Sequence, residues 1–95
     1  MVRLTDTEIS DRLGSVPGWE IREERTVNQL SRTFEFENFA TALAFTNRVG
    51  ELAEEADHHP RIVTEWGRVE VSFWSHDHAG VVENDFVMAA RVSEL

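Results

Sequence analysis

Four histidines, His58, His59, His76 and His78, fall within 21 consecutive positions of a 95-residue chain. Imidazole has a reference pKa of about 6.5, so it both gives and takes protons near neutrality. Carboxylates crowd the same region at Glu54, Glu55, Asp57, Asp77 and Asp85. Beside a ring they orient it and favour its charged form. A single histidine at the end of an element is ordinary polar surface, but four gathered around Pro60 point to a site. Metal binding is a second reading, since His76 and His78, two apart on a strand, would face the same way. His58 and His59 are adjacent, so their side chains diverge instead of meeting at one ion. No His-Glu-x-x-His is present. Nucleophilic catalysis has little support, with no Cys, no Gly-x-Ser-x-Gly and only Ser72 and Ser75 near the histidines. Cofactor-free acid–base chemistry remains, or binding without chemistry.

The elements that must position these groups are legible in outline. Thr5-Asp6-Thr7-Glu8 is a capping box, flanked by a Leu4–Ile9 staple, and Gly14 is a plausible stop. Pro17-Gly18 then turns the chain into a strand at Trp19-Glu20-Ile21. A polar loop from Thr26 to Gln29 leads to a second alternating strand, Leu30 to Phe36. Asn38 caps a long helix from Phe39 to His58, with Phe39, Leu43, Val49, Leu52, Ala53 and Ala56 at helical spacing and Ala42 and Phe45 widening the stripe. Pro60 disfavours helical geometry at His59 and so ends it. Ile62 to Trp66, a Gly67-Arg68 turn, and Val69 to His76 form a second hairpin. Its last strand sets Val69, Val71 and Phe73 against Glu70, Ser72, Trp74 and His76. A final helix covers Glu83 to Val92. The order α-β-β-α-β-β-α gives an α+β fold, a four-stranded antiparallel sheet with helices on one face.

Composition narrows the partners. Nine Arg, no Lys and 18 acidic residues give a net charge of −9. Such a chain is a poor match for nucleic acid or an anionic membrane, which need a basic face. The acidity fits either a high-salt cytoplasm or a codon-biased genome. With no Cys, disulfides, thiolate metal sites and thiol catalysis are excluded. No run is apolar enough to span a membrane, and the first 15 residues lack a signal peptide's pattern. The expectation is one cytoplasmic domain, residues 1–95, whose small core favours oligomerisation.

Glu54-x-x-x-His58-His59-Pro60, then Trp66, His76 and Asp85 at their spacings, resemble the signature of the pterin-4a-carbinolamine dehydratases. Pro17-Gly18-Trp19, the Arg32 to Phe36 strand and the Phe39 to Glu55 helix extend the similarity over the whole chain. The resemblance implies dehydration of 4a-hydroxytetrahydropterin to quinonoid dihydropterin, with no cofactor and no metal. That substrate is released by a pterin-dependent aromatic amino acid hydroxylase, a pathway partner. The resemblance makes His58 and His76 the acid–base pair, and has His59 orient the pterin or act as base. It has Asp85 steady an imidazole and Glu54 support the His58 ring. It also assigns Asp57, Trp74, Ser75, Asp77 and Trp19 to pterin binding, and implies a homodimer or homotetramer. Relatives of the fold also serve as dimerisation or assembly factors, which is the alternative function.

Residue habits alone put Trp19 and Trp66 in the core more readily than in a site. Phe34, Phe36 and Phe39 are assigned to packing. The chain departs from the family pattern at Ile62, where a Trp is frequent, at Trp66-Gly67 in place of Tyr-Asn, and at Trp74 in place of a small Ser or Thr. Val82 stands where a Ser commonly caps the last helix, which predicts a weaker helix start.

Overall fold

A computed structural model describes residues 2–95. Helix α1 (Asp6–Leu13) starts on the predicted capping box: the Thr5 hydroxyl accepts from the Glu8 amide, and the Glu8 carboxylate accepts from the Thr5 amide. Those bonds hold the Glu8 carboxyl below its ordinary value. Strands β1 (Glu20–Glu24) and β2 (Val27–Glu35) follow, paired from Glu20↔Ser31 to Glu24↔Val27. The expected polar loop is shorter than predicted. Arg25 and Thr26 alone make the turn, both at positive φ, and Val27 to Gln29 belong to β2. A two-residue turn of this hand matches the natural twist of the strands it joins.

Helix α2 (Phe39–Ala56) begins at Asn38, whose side chain accepts from the Thr41 amide. It stops two residues before the expected His58. Asp57 adopts the left-handed conformation, its amide bonding Glu54 O and that of His58 bonding Ala53 O. This pair of bonds is a Schellman closure, which satisfies the last carbonyls and turns the chain away. Strands β3 (Arg61–Glu65) and β4 (Arg68–Phe73) then form the second hairpin around Trp66-Gly67, with Gly67 at φ 73°. Strand β4 ends at Phe73, short of the expected His76. Arg61, the first residue of β3, pairs with Ser72, so β3 offers no partner further along. The pairing with β2 stops at Leu30↔Phe73, although β2 itself runs on to Val27. His76–His78 instead form a 3₁₀ turn, closed by paired backbone bonds between Ser75 and Gly80.

Helix α3 (Glu83–Ser93) completes the order α-β-β-α-β-β-α. Val82 provides no side-chain cap, but the Asp85 carboxylate accepts from the Val82 amide at 2.8 Å and starts the helix from its first turn. The sheet order is β1-β2-β4-β3, all antiparallel. Leu30, Val69, Val71 and Phe73 form the buried sheet face beneath Ala42, Phe45 and Val49 of α2 and Phe86, Ala89 and Val92 of α3. The fold is the expected α+β class.

Two aromatic assignments are overturned by burial. Trp66 sits on the tight turn and is 71% exposed. Phe39, in the first turn of α2, is 46% exposed, and Leu43 one turn later is similarly open. On the opposite sheet face Glu70 accepts hydrogen bonds from both Arg22 and Arg61. Burial alone would raise its carboxyl, but the bonds and charges of Arg61 and Arg22 outweigh that and hold it below its ordinary value.

Candidate active site

The Schellman turn after α2 and the 3₁₀ turn after β4 face each other across an open cleft of roughly 450 Å³. Asp57, His58 and His59 line it from the first turn, and Trp74, Ser75, His76, Asp77 and His78 from the second. Both walls are built from tightly bonded turns at the ends of packed elements, which limits their freedom to move. The early end of α2 is what makes this arrangement. The left-handed Asp57 turns the chain off the helix axis, so that both His58 and His59 line the cleft.

His58 points inward. Its Nε2 donates to Asp85 Oδ1 at 2.6 Å, and its ring stacks on Phe73 with centroids 5.9 Å apart. Asp85 is fully buried, and its second oxygen accepts from the Val82 amide, with the Ser75 hydroxyl at 3.5 Å. One carboxylate thus joins the start of α3, the His58 ring and the loop that carries His76. With Nε2 committed to Asp85, the free lone pair of His58 is on Nδ1, where the Asn84 amide nitrogen approaches to 3.4 Å. Asn84 carried no signal in the sequence beyond standing next to Asp85.

His59 points outward, where its Nε2 bonds the Glu54 carboxylate. Glu54 therefore supports His59 and not His58, contrary to what the resemblance implies. Asp57 breaks the helix, so the side chain one turn beyond Glu54 is swung out of its reach. The Trp74 indole packs edge-on against the His76 ring at 4.8 Å. The two histidines of the expected acid–base pair therefore lie on opposite walls of one cleft.

Trp19 does not line the cleft. It is buried against Phe34 and Phe73, and its indole N–H donates to Ser93 Oγ at 2.8 Å. It reaches the site only through Phe73, which carries Trp19 on one contact and His58 on another. Among the described residues, no three His, Asp or Glu side chains converge as a metal site would. No helix among them is long and apolar enough to cross a membrane.

The profile of the family described as pterin 4 alpha carbinolamine dehydratase matches residues 2–95. This chain belongs to that family. The activity for which the family is named is that of a hydro-lyase. A Nitrosococcus oceani protein is 53% identical over 93 residues, spanning 98% of this chain and 82% of the relative. A Chlorobium limicola protein is 53% identical over 92 residues, spanning 97% and 81%. Both bear the name "putative pterin-4-alpha-carbinolamine dehydratase". Among solved structures, a transcriptional coactivator/pterin dehydratase from Brucella melitensis superposes with a TM-score of 0.85 at 33% identity, covering 97% of this chain and 96% of the other. A pterin dehydratase-like protein described as a RuBisCO assembly factor of the alpha-carboxysome shares the fold, at TM-score 0.67 and 24% identity over 81% of this chain and 87% of its own.

Proposed function

We propose that this chain dehydrates a 4a-hydroxytetrahydropterin in the cleft, by proton transfer from and to its histidines. The observation that carries the proposal is His58, fixed by a buried carboxylate on one wall while His76 stands on the other. In the reaction the 4a hydroxyl takes a proton and leaves as water as the carbon–oxygen bond breaks. A ring nitrogen of the pterin loses a proton, and its electrons form the carbon–nitrogen double bond. One proton enters and one departs, so the step is redox-neutral and suits two imidazoles. His58 exchanges its proton at Nδ1, with Asp85 holding the ring in the required tautomer. His76 serves as the other half of the pair. His59 orients the pterin from the open side of the cleft, braced by Glu54. Asp57, Trp74, Ser75 and Asp77 complete the binding walls, the Trp74 indole offering the flat ligand an aromatic face.

The physiological role that follows is recycling of tetrahydropterin in the cytoplasm, downstream of an aromatic amino acid hydroxylase. Assembly into a homodimer or homotetramer is supported by the exposed Phe39 and Leu43 on one face of α2 and by β1 and β3 as outer strands. The deciding experiment is stopped-flow ultraviolet decay of freshly generated 4a-hydroxytetrahydropterin at neutral pH, in low and high salt. Acceleration by catalytic amounts of protein is expected. No acceleration by folded protein at either salt overturns the proposal in favour of a protein-binding module.

A further inference from the structure

His78 is the one cleft histidine that the reaction above leaves without a task. It lies on the 3₁₀ turn, two residues after His76, and lines the same cleft. Its Nδ1 is sealed from solvent and has no hydrogen-bond partner among the described residues. A buried polar atom without a partner is uncommon in folded proteins and costs stability, so its presence calls for an explanation. The backbone that carries the ring is held by the turn: the His78 amide donates to Ser75 O, and the amide of Ala79, in the left-handed conformation, donates to His76 O.

A neutral imidazole carries one N–H and one lone pair. A sealed N–H without an acceptor is the rarer and worse-tolerated orphan, so the lone pair occupies Nδ1 and the proton Nε2. Nε2 makes no bond to the described side chains and, unlike Nδ1, is not sealed. The buried nitrogen therefore dictates which face the ring shows to the cleft.

We infer that His78 is a substrate-orienting residue whose Nε2–H donates a hydrogen bond to an acceptor atom of the bound pterin. The inference rests on the proposed dehydratase reading and adds a specificity contact to it. The pterin ring system carries a carbonyl oxygen and unprotonated ring nitrogens as acceptors on its edge. A fixed donor accepts one edge of such a ligand and penalises the flipped orientation, in which a donor would meet a donor. The contact is the same before and during the reaction, so it acts on binding and not on the chemical step.

The test compares His78→Leu with His78→Gln, whose amide nitrogen reaches the position of Nε2. Loss of one neutral hydrogen bond predicts a KM for the 4a-hydroxypterin raised roughly five- to tenfold in His78→Leu, with kcat unchanged. Most of that rise is recovered in His78→Gln. Affinity for 7,8-dihydrobiopterin, measured by calorimetry, falls by the same factor. The thermal midpoint of His78→Leu does not fall, because the substitution deletes an unpaired buried atom. An unchanged KM in His78→Leu, or equal losses in both variants, overturns the inference while leaving the dehydratase reading intact. Absence of acceleration by the unsubstituted protein overturns the dehydratase reading itself, and this inference with it.

Discussion

His58 Nε2 and Asp85 Oδ1 lie 2.6 Å apart, although 26 residues separate them in the chain, and the Asp85 side chain is wholly buried. His58 stands on one wall of the cleft, and Asp85 lies on α3 behind it. The carboxylate also has the Ser75 hydroxyl of the other wall at 3.5 Å, so it links the two walls from outside the cleft. A hydrogen bond between charged or chargeable partners in such a site is stronger than one at the surface.

Replacing Asp85 should therefore cost both chemistry and stability. Asp85→Asn keeps the shape and can still accept from the Val82 amide, but loses the charge that selects the His58 tautomer. We expect kcat to fall about 10- to 100-fold with KM little changed, the scale of losing the group that orients a histidine and below the roughly 10²–10⁴-fold of losing the proton-transfer group itself. Asp85→Ala, which also orphans the Val82 amide, should lose about 1–3 kcal/mol of unfolding free energy in urea titrations. A fully active Asp85→Asn would remove Asp85 from the mechanism.

The histidines on opposite walls should act together. His58→Ala combined with His76→Ala is expected to abolish acceleration of 4a-hydroxypterin decay in the stopped-flow assay. Each single variant should retain part of it, since the partner still moves one of the two protons. Wild-type rates in the double variant would refute the acid–base assignment.

Trp19 separates a core role from a site role. Trp19→Phe removes the bond to Ser93 and leaves a small void against Phe34 and Phe73. The expected loss is about 1–2 kcal/mol of stability. KM for the pterin should stay at the wild-type value in well-folded protein. A shift in KM without a shift in stability would place Trp19 in the binding machinery after all.

Glu70 predicts a pH dependence. Its carboxyl is held below the ordinary value of 4.5 in the folded chain, so its contribution is complete above that value. As pH falls through the lower folded value the carboxylate takes up a proton and the contribution is lost. Glu70→Gln should lower stability at neutral pH by about 1 kcal/mol, the scale of bonds to partly exposed arginines. Urea unfolding at neutral and acidic pH should then show a smaller difference in the variant than in wild type. Equal differences would mean that Glu70 carries no net linkage.

Much of the fold was legible because its signals are local. Thr5 and Glu8 announce α1 by reciprocal caps, and Val69, Val71 and Phe73 alternate because one face of β4 is buried. The errors fell where tertiary partners decide. Pro60 marks only the furthest point α2 could reach, and the left-handed Asp57 stopped it earlier without a Gly to betray it. Alternation from Val69 to His76 runs past the end of β4 because residue type does not reveal where a neighbouring strand begins. Trp66 and Phe39 are large apolar side chains on a turn and a helix start, and no sequence pattern distinguishes their exposure from burial. At the site, the histidines were visible as a cluster. Their assignment to walls was not, because Glu54 could be matched to His58 only by assuming a helix that had already ended.

Asp85 holds two offices in one side chain, starting α3 and orienting His58. Evolution could not discard it with the chemistry alone. A descendant of this fold that turned to protein binding would first have to supply another cap at Val82 before that carboxylate became dispensable. His58 is held less firmly, since another flat ring could keep the stacking on Phe73 and only the bond to Asp85 Oδ1 would be lost. Relaxed selection would therefore erase the histidines first and the aspartate last, which makes the aspartate a poor witness to activity and the histidines a good one.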